Sequence, residues 1–347
     1  MRRIASTAAA TALLLGLTTP AYACGGLVGP NGAVNLLRTT TFAGYADGVE
    51  HYVTSFEFAG GGGEFGSIIP LPGVPTSVVR GGDWTLQRLA KETEPVRRLA
   101  DAGSEVAFAA AAPAEVILEV TIDALDITVL KGGGDEVGVW AADNGFRLPP
   151  DAPEVLDFYA ERSPIFLAAR FDAEAARKRG QQVGDGTPIH VAIPTDDPWV
   201  PLRILGLGKQ ASEPVEADVY LLTERRPSLL PAPRATMPLV HDARASDLLL
   251  DDLRSDKGME WVPRTAWLSK LAISGPAGEL THDLAIDETG LGKSSPVAAG
   301  LARVSAAGPP PAEERVPLWL VGAVAALLIA CGVVVGPLAR RLPTDAR

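Results

Sequence analysis

The residues of this 347-residue chain that could do chemistry are four histidines, a scatter of carboxylates and two cysteines. His51 and His190 stand in strand-like runs and read as face-filling residues, whereas His241-Asp242 and His282-Asp283 read as turn or cap residues. A serine hydrolase needs its nucleophile on a strand-to-helix elbow, and GxSxG does not occur. Cys pairs, HExxH and an EF-hand loop are also missing, which leaves no metal signature. Asp196-Asp197 or Asp251-Asp252 could offer oxygens to Ca²⁺, but they read as a solvated turn and an acidic helix end. "KGGGDE" (131–136) lacks the GxxxxGK[ST] spacing of a phosphate cradle. Glycoside hydrolysis could draw two carboxylates from distant positions, yet nothing selects a pair among Glu57, Glu64 and Glu119. The residues imply no cofactor and no metal, and they leave any catalytic set undefined.

The ends of the chain say more about place than about reaction. Arg2 and Arg3, an apolar stretch around Ala8–Leu17 and Ala21-Tyr22-Ala23 describe a signal peptide over 1–23. Cleavage would leave Cys24 first, as a free thiol, an intermolecular bridge or a lipid site. Val316 to Ala339 carries no charge and is long enough to cross ~30 Å of hydrocarbon as a helix. Trp319 marks one boundary and Arg340-Arg341 the other, which places residues 340–347 in the cytoplasm. The expectation is a single-pass type I protein of the plasma membrane with its N-terminal domain outside. Cys331 falls within the span, so the two cysteines cannot meet and the outer domain has no internal disulfide.

Between the terminal segments the chain carries 26 Lys+Arg against 41 Asp+Glu, a formal charge of −15. So acidic a surface repels phosphate backbones, which argues against nucleic acid as a partner.

The middle reads as a β-rich α+β domain. Asp47-Gly48 joins two alternating runs, the strongest short hairpin signal. Strands are expected at 65–69, 116–120, 127–130, 165–171, 189–193, 202–207 and 217–223. Helices are expected within 83–103, at 135–144 ending on Gly145, early in "PPDAPEVLDFYAER", and in "ASDLLLDDLR". "CGGLVGPNGAV" reads as an extended arm, and "RPSLLPAPRATMPLV" as a surface excursion. The expected divisions are 24–225 for the main body, 226–293 for its C-terminal part, and 294–315 for a Pro/Ala-rich stalk.

"FGSIIPLPGVPTSVV" and "IHVAIPTDDPWVPLRIL" share a pattern: strand, Ile-Pro, a proline-punctuated bend, Val-Pro, and a further apolar run. Proline donates no N–H to a ladder and fixes φ, so these residues mark rigid corners at strand ends. Pro70, Pro72 and Pro75 form one corner and Pro194, Pro198 and Pro201 the other. The pattern is consistent with a two-fold internal repeat or with chance.

These stretches, with "ACGG", "DGVEHYVTSFEF", "DITVLKGG", "NGFRLPPDAPEVLDFYAE" and "VYLLTERRP", resemble a bacterial family, domain-of-unknown-function family 2330. The resemblance covers most of residues 23–227 and implies an exported, often membrane-tethered protein; it implies no reaction. A second cysteine common shortly after "ACGG" in such proteins is missing here, where Leu27-Val28-Gly29-Pro30 stands. The resulting expectation is a surface or interaction module with an envelope-protein partner and the proline corners as candidate contact sites. The alternative is an exported hydrolase whose carboxylate or His site is assembled by folding.

Overall fold

The computed structural model describes residues 26–29, 32–33, 39–56, 65–93, 115–180 and 187–303. The signal segment, Cys24, the second half of the helix expected within 83–103, and the apolar span at 316–339 lie outside them. No helix among the described residues is long and apolar enough to cross a membrane.

Strands dominate and the helices are short, which gives the sheet-rich α+β fold expected. A seven-stranded sheet contains β3 (Thr39–Ala46), β4 (Val49–Phe56), β6 (Ser77–Arg80), β10 (Thr187–Pro194), β12 (Pro214–Thr223), β14 (Leu239–Arg244) and β15 (Trp267–Pro276). Its spatial order is β14-β15-β12-β3-β4-β10-β6. A six-stranded sheet runs β2 (Gly32–Ala33), β1 (Gly26–Gly29), β5 (Phe65–Leu71), β9 (Ile165–Phe171), β8 (Leu125–Lys131) and β7 (Glu115–Ile122). β11 (Trp199–Val200), β16 (Leu284–Asp287) and β13 (Ser228–Leu230) make a small third sheet. The helices are α1 (Thr85–Thr93), α2 (Gly134–Asp143), α3 (Ala152–Ala160), α4 (Ala173–Lys178) and α5 (Asp247–Ser255).

Apolar residues on both parities of a strand explain why the seven-stranded sheet is covered on both faces. Ala43, Tyr52, Val219, Leu221, Leu271 and Ile273 join the large core shared with the six-stranded sheet, α2 and α3. Their neighbours Phe42, Val53, Tyr220, Leu222 and Leu268 face the other way, into a second core closed by α1 and α5. The β3–β4 turn is built as its sequence demands. Asp47 and Gly48 both take positive φ, 53° and 78°, as a tight hairpin of this twist requires.

Each proline corner carries the chain from one sheet to another. The first leaves β5 in the six-stranded sheet and enters β6 in the seven-stranded one. The second leaves β10 in the seven-stranded sheet and enters β11 in the small one. A strand that changes sheets must abandon its ladder, and residues without an N–H lose least by doing so.

Four expectations are corrected. Residues 202–207 are a 3-10 turn over Arg203–Gly206 rather than a strand, because the backbone N–H groups of Leu202 and Arg203 bond a carboxylate. The Pro-rich excursion contains paired strands, with β13 on β16, and it buries Met237. The glycine-rich arm forms β1, which pairs antiparallel with β5. Residues 294–301, placed by sequence in the stalk, belong to the folded body: Ala298 and Ala299 are buried in the main core.

The second core depends on one carboxylate. Asp256, just after α5, accepts from the backbone N–H groups of Asp83 (3.0 Å) and Trp84 (3.0 Å) and from the Thr85 hydroxyl (2.8 Å). It therefore caps α1 from a distant part of the chain, and it is itself buried. Asp256→Ala strands those donors without water and is expected to cost about 2–3 kcal/mol, read as a lower denaturant midpoint with the slope unchanged.

Candidate functional site

Three polar centres are built inside this frame. The first lies at the second proline corner. Thr195 donates its N–H to Gly48 O (3.2 Å), and the Tyr45 hydroxyl donates to Thr195 O (2.7 Å). Trp199 N–H bonds Glu50 Oε2 at 3.3 Å, so the corner folds down over the β3–β4 hairpin. Glu50 is fully buried, its other carboxyl oxygen has no partner, and burial pushes its pKa up to about 8. Burial also raises the Tyr45 hydroxyl to about 12, with smaller contributions from Glu288, Asp196, Glu50 and Asp197.

The second centre occupies the opposite face of β4. His51 and His190 sit diagonally across the β4–β10 ladder, with His51 Nδ1 and His190 Nε2 2.9 Å apart. One ring must donate and the other accept. Trp261 stacks on His51 with centroids 3.9 Å apart and planes 2° from parallel. The space for it comes from Gly44, where a Cβ would lie 2.2 Å from the indole. Burial lowers His51 to about 3, helped by His190, and lowers His190 to about 4 against an opposing pull from Glu260.

The third centre is a network around Asp283. Its Oδ1 accepts from the Tyr159 hydroxyl (2.8 Å) and from the N–H groups of Leu202 (2.7 Å) and Arg203 (3.0 Å), while Oδ2 pairs with Arg162. Tyr159 accepts in turn from Ile204 N–H (2.8 Å). Burial, then the charge of Asp283, lifts the Tyr159 hydroxyl well above its ordinary range. The Arg162 guanidinium lies over Phe158 (4.3 Å) and Trp199 (4.8 Å). Beside the network a cavity of about 350 Å³ is lined by Phe158, Glu154, Glu161, Arg162, Arg203 and Arg303, among others. Its charges are engaged with one another or with the network: Arg203 with Glu154, Arg303 with Glu161, Arg162 with Asp283.

With this geometry established, comparison with known proteins places the chain. Residues 18–235 match a family model described as an uncharacterized protein conserved in bacteria, domain-of-unknown-function family 2330. The chain belongs to this family. No curated protein matches it. Among solved structures, a chain of the caspase-8/P35 complex is similar at a TM-score of 0.37 and 8% identity, covering 72% of this chain and 96% of that one. Baculovirus P35 alone is similar at 0.36 and 9%, with the same coverage. Likeness at that level carries no functional argument.

The family stretches supply both proline corners, Glu50, His51 and Tyr159, whereas Asp283 and Trp261 lie beyond the matched residues. The structure brings the two corners together. Thr76 N–H bonds Ala192 O (2.8 Å), and Gly73 faces Pro194 O. Pro70, Pro75, Pro198 and Pro201 are buried, Pro72 is partly covered, and only Pro194 is exposed. Asp196 and Asp197 sit on the second corner, and no group of three or more metal-ligating side chains occurs among the described residues. His241 lies on β14, and His282 contacts Thr281 (2.8 Å). Sequence reasoning missed the His51–His190–Trp261 cluster, because only pairing of β4 with β10 brings residues 139 apart into contact.

The shifted groups set opposite pH dependences. The His pKa values fall on folding, so the unfolded chain takes protons first. Their stabilising contribution is complete above about 6.5 and is lost as pH falls through about 4 and 3. The expected readout is an acid-side fall in stability, with a change in tryptophan emission as Trp261 unstacks, and both are reduced in His190→Gln. The pKa of Glu50 rises on folding, so its contribution is complete below about 4.5 and is lost as pH climbs to about 8. Glu50→Gln should flatten that alkaline-side decline, measured as unfolding free energy from pH 4 to 9.

Proposed function

We propose that this family member is a membrane-anchored, extracytoplasmic interaction module whose edge strand receives an extended segment of an envelope protein. The observation that carries the reading is β7. Among the described residues it closes one side of the six-stranded sheet, pairs with β8 alone, and has no strand on its outer row of N–H and C=O groups. Val116 is 50% exposed and Ile117 36%, in the largely apolar run "EVILEVTI". A bulge between Val116 and Leu118 leaves Ile117 without a partner on β8. An open, apolar edge is a template for strand addition.

The same strand exposes Glu115 and Glu119 on a domain that is already acidic. The fitting segment therefore alternates apolar residues with Lys or Arg. Anchoring rests on the uncharged 316–339 run with its flanking Trp319 and Arg340-Arg341, and export rests on the 1–23 pattern. A hydrolase would need convergent polar groups in a cleft, with pKa values set for proton transfer. Here Glu50, His51 and His190 lie away from the cavity lining, and the Arg and Glu side chains there are taken up by ion pairs.

The test is cross-linking of the full chain in its native membranes, comparing wild type with Val116→Lys/Ile117→Lys of equal thermal stability. The expected result is a recurrent partner whose cross-links map to Glu115–Lys131 and whose yield drops at least tenfold in the variant. Undiminished capture by the variant overturns the edge-strand site. Absence of any partner above an unrelated tethered control overturns the interaction reading itself.

A further inference from the structure

Lys270 and Asp218 are buried charged residues that serve neither the corner, the Asp283 network nor the Asp256 cap. They project from adjacent antiparallel strands, β15 and β12, the second and third from one edge of the seven-stranded sheet. In the register Lys270 faces Tyr220 and Asp218 faces Ala272, so the two side chains are diagonal neighbours on one face. Lys270 Nζ lies 3.3 Å from Asp218 Oδ2, and each side chain is 5% exposed. The amine also lies 5.0 Å from the centre of the fully buried Tyr220 ring. Thr93, at the end of α1, completes the group as a neighbour of the Tyr220 hydroxyl.

From this placement we propose that Lys270 and Asp218 condense to an intramolecular amide that covalently staples β12 to β15. The chemistry balances without an oxidant or a cofactor. The Lys270 nitrogen adds to Asp218 Cγ, one C–O bond breaks, and the departing oxygen leaves as water with two protons from the amine and the acid. Condensation needs the amine and the acid in their neutral forms. The Tyr220 hydroxyl has Lys270 and Thr93 as neighbours and can pass the amine's proton on. The ladder between β12 and β15 holds the amine 3.3 Å from the carboxyl oxygen, which removes most of the entropic cost of a bimolecular condensation.

The chemistry also accounts for the choice of residue. Where a buried ion pair alone is wanted, the guanidinium fork of Arg holds a carboxylate with two bonds, whereas the compact amine of Lys is the nucleophile. An amide here would close a loop of about 50 residues and restrict the unfolded chain as a disulfide does. Cys24 and Cys331 cannot supply such a tie across these strands, because neither lies on them.

The decisive measurement is peptide mass spectrometry of the full-length protein purified from its membranes and digested with trypsin. The linked form yields Gln210–Arg225 joined to Thr265–Lys293, one water lighter than the two together and uncut at Lys270. Asp218→Ala and Lys270→Arg abolish that species. Lys270→Arg keeps the charge and so separates a covalent tie from an ion pair. Near-complete recovery of free Gln210–Arg225, with Lys270 cleaved, in wild type overturns the proposal. So does a linked species that persists in Lys270→Arg.

Discussion

Asp283 is the point on which several distant parts of the chain depend. It has no solvent access, yet it carries a carboxylate's full demand for donors. A buried charge of this kind is tolerable only when its lone pairs are all engaged. The donors come from Tyr159 on α3 and Arg162 just after it, and from the backbone that follows the second proline corner. Arg162 then reaches the carbonyl of Ala298, near the end of the described chain. One carboxylate thus fixes the small sheet, α3 and the C-terminal turns together. It also explains why residues 202–207, apolar enough for a strand, coil instead: their N–H groups are already committed.

Asp256 repeats the solution on the other side of the large sheet. In both cases an acid outside the matched family residues satisfies backbone groups that lie within them. A domain without an internal disulfide between its described strands gains from such long-range ties. Each joins segments 80 residues or more apart. This is a reason to treat the C-terminal stretch, 236–303, as part of the same folding unit, although the family match stops short of it.

What could be read from sequence follows the same division between local and distant causes. The β3–β4 hairpin, β9, β12, α3 and α5 were legible because their signals are local: Asp-Gly, unbroken apolar runs, a Pro in the first helical turn, a Ser cap. The proline corners were legible as corners. That they move the chain between sheets was not, because sheet membership is decided by partners far away. Met237 and Ala299 were missed as core for the same reason. Polar and small-residue composition suggested solvent, but a chain tied down by Arg162 and by pairing to β16 buries them regardless. The histidine cluster lay furthest from view, since it needs β4, β10 and the 259–262 segment at once.

Glu50 and His51 are consecutive residues on opposite faces of β4, and one is pushed up to about 8 while the other is lowered to about 3. The two shifts have a single cause. Desolvation disfavours whichever form bears charge, which is the ionised carboxylate in one case and the protonated imidazole in the other. Between those limits the strand crosses the centre of the sheet with neither residue charged, and a two-sided core can close on it. Functional sites also shift pKa values, but they do so to hold a proton near a substrate. Here the carboxyl faces the underside of a corner and the imidazole faces an indole seated on a glycine. The shifts are therefore the electrostatic consequence of covering both faces of a sheet.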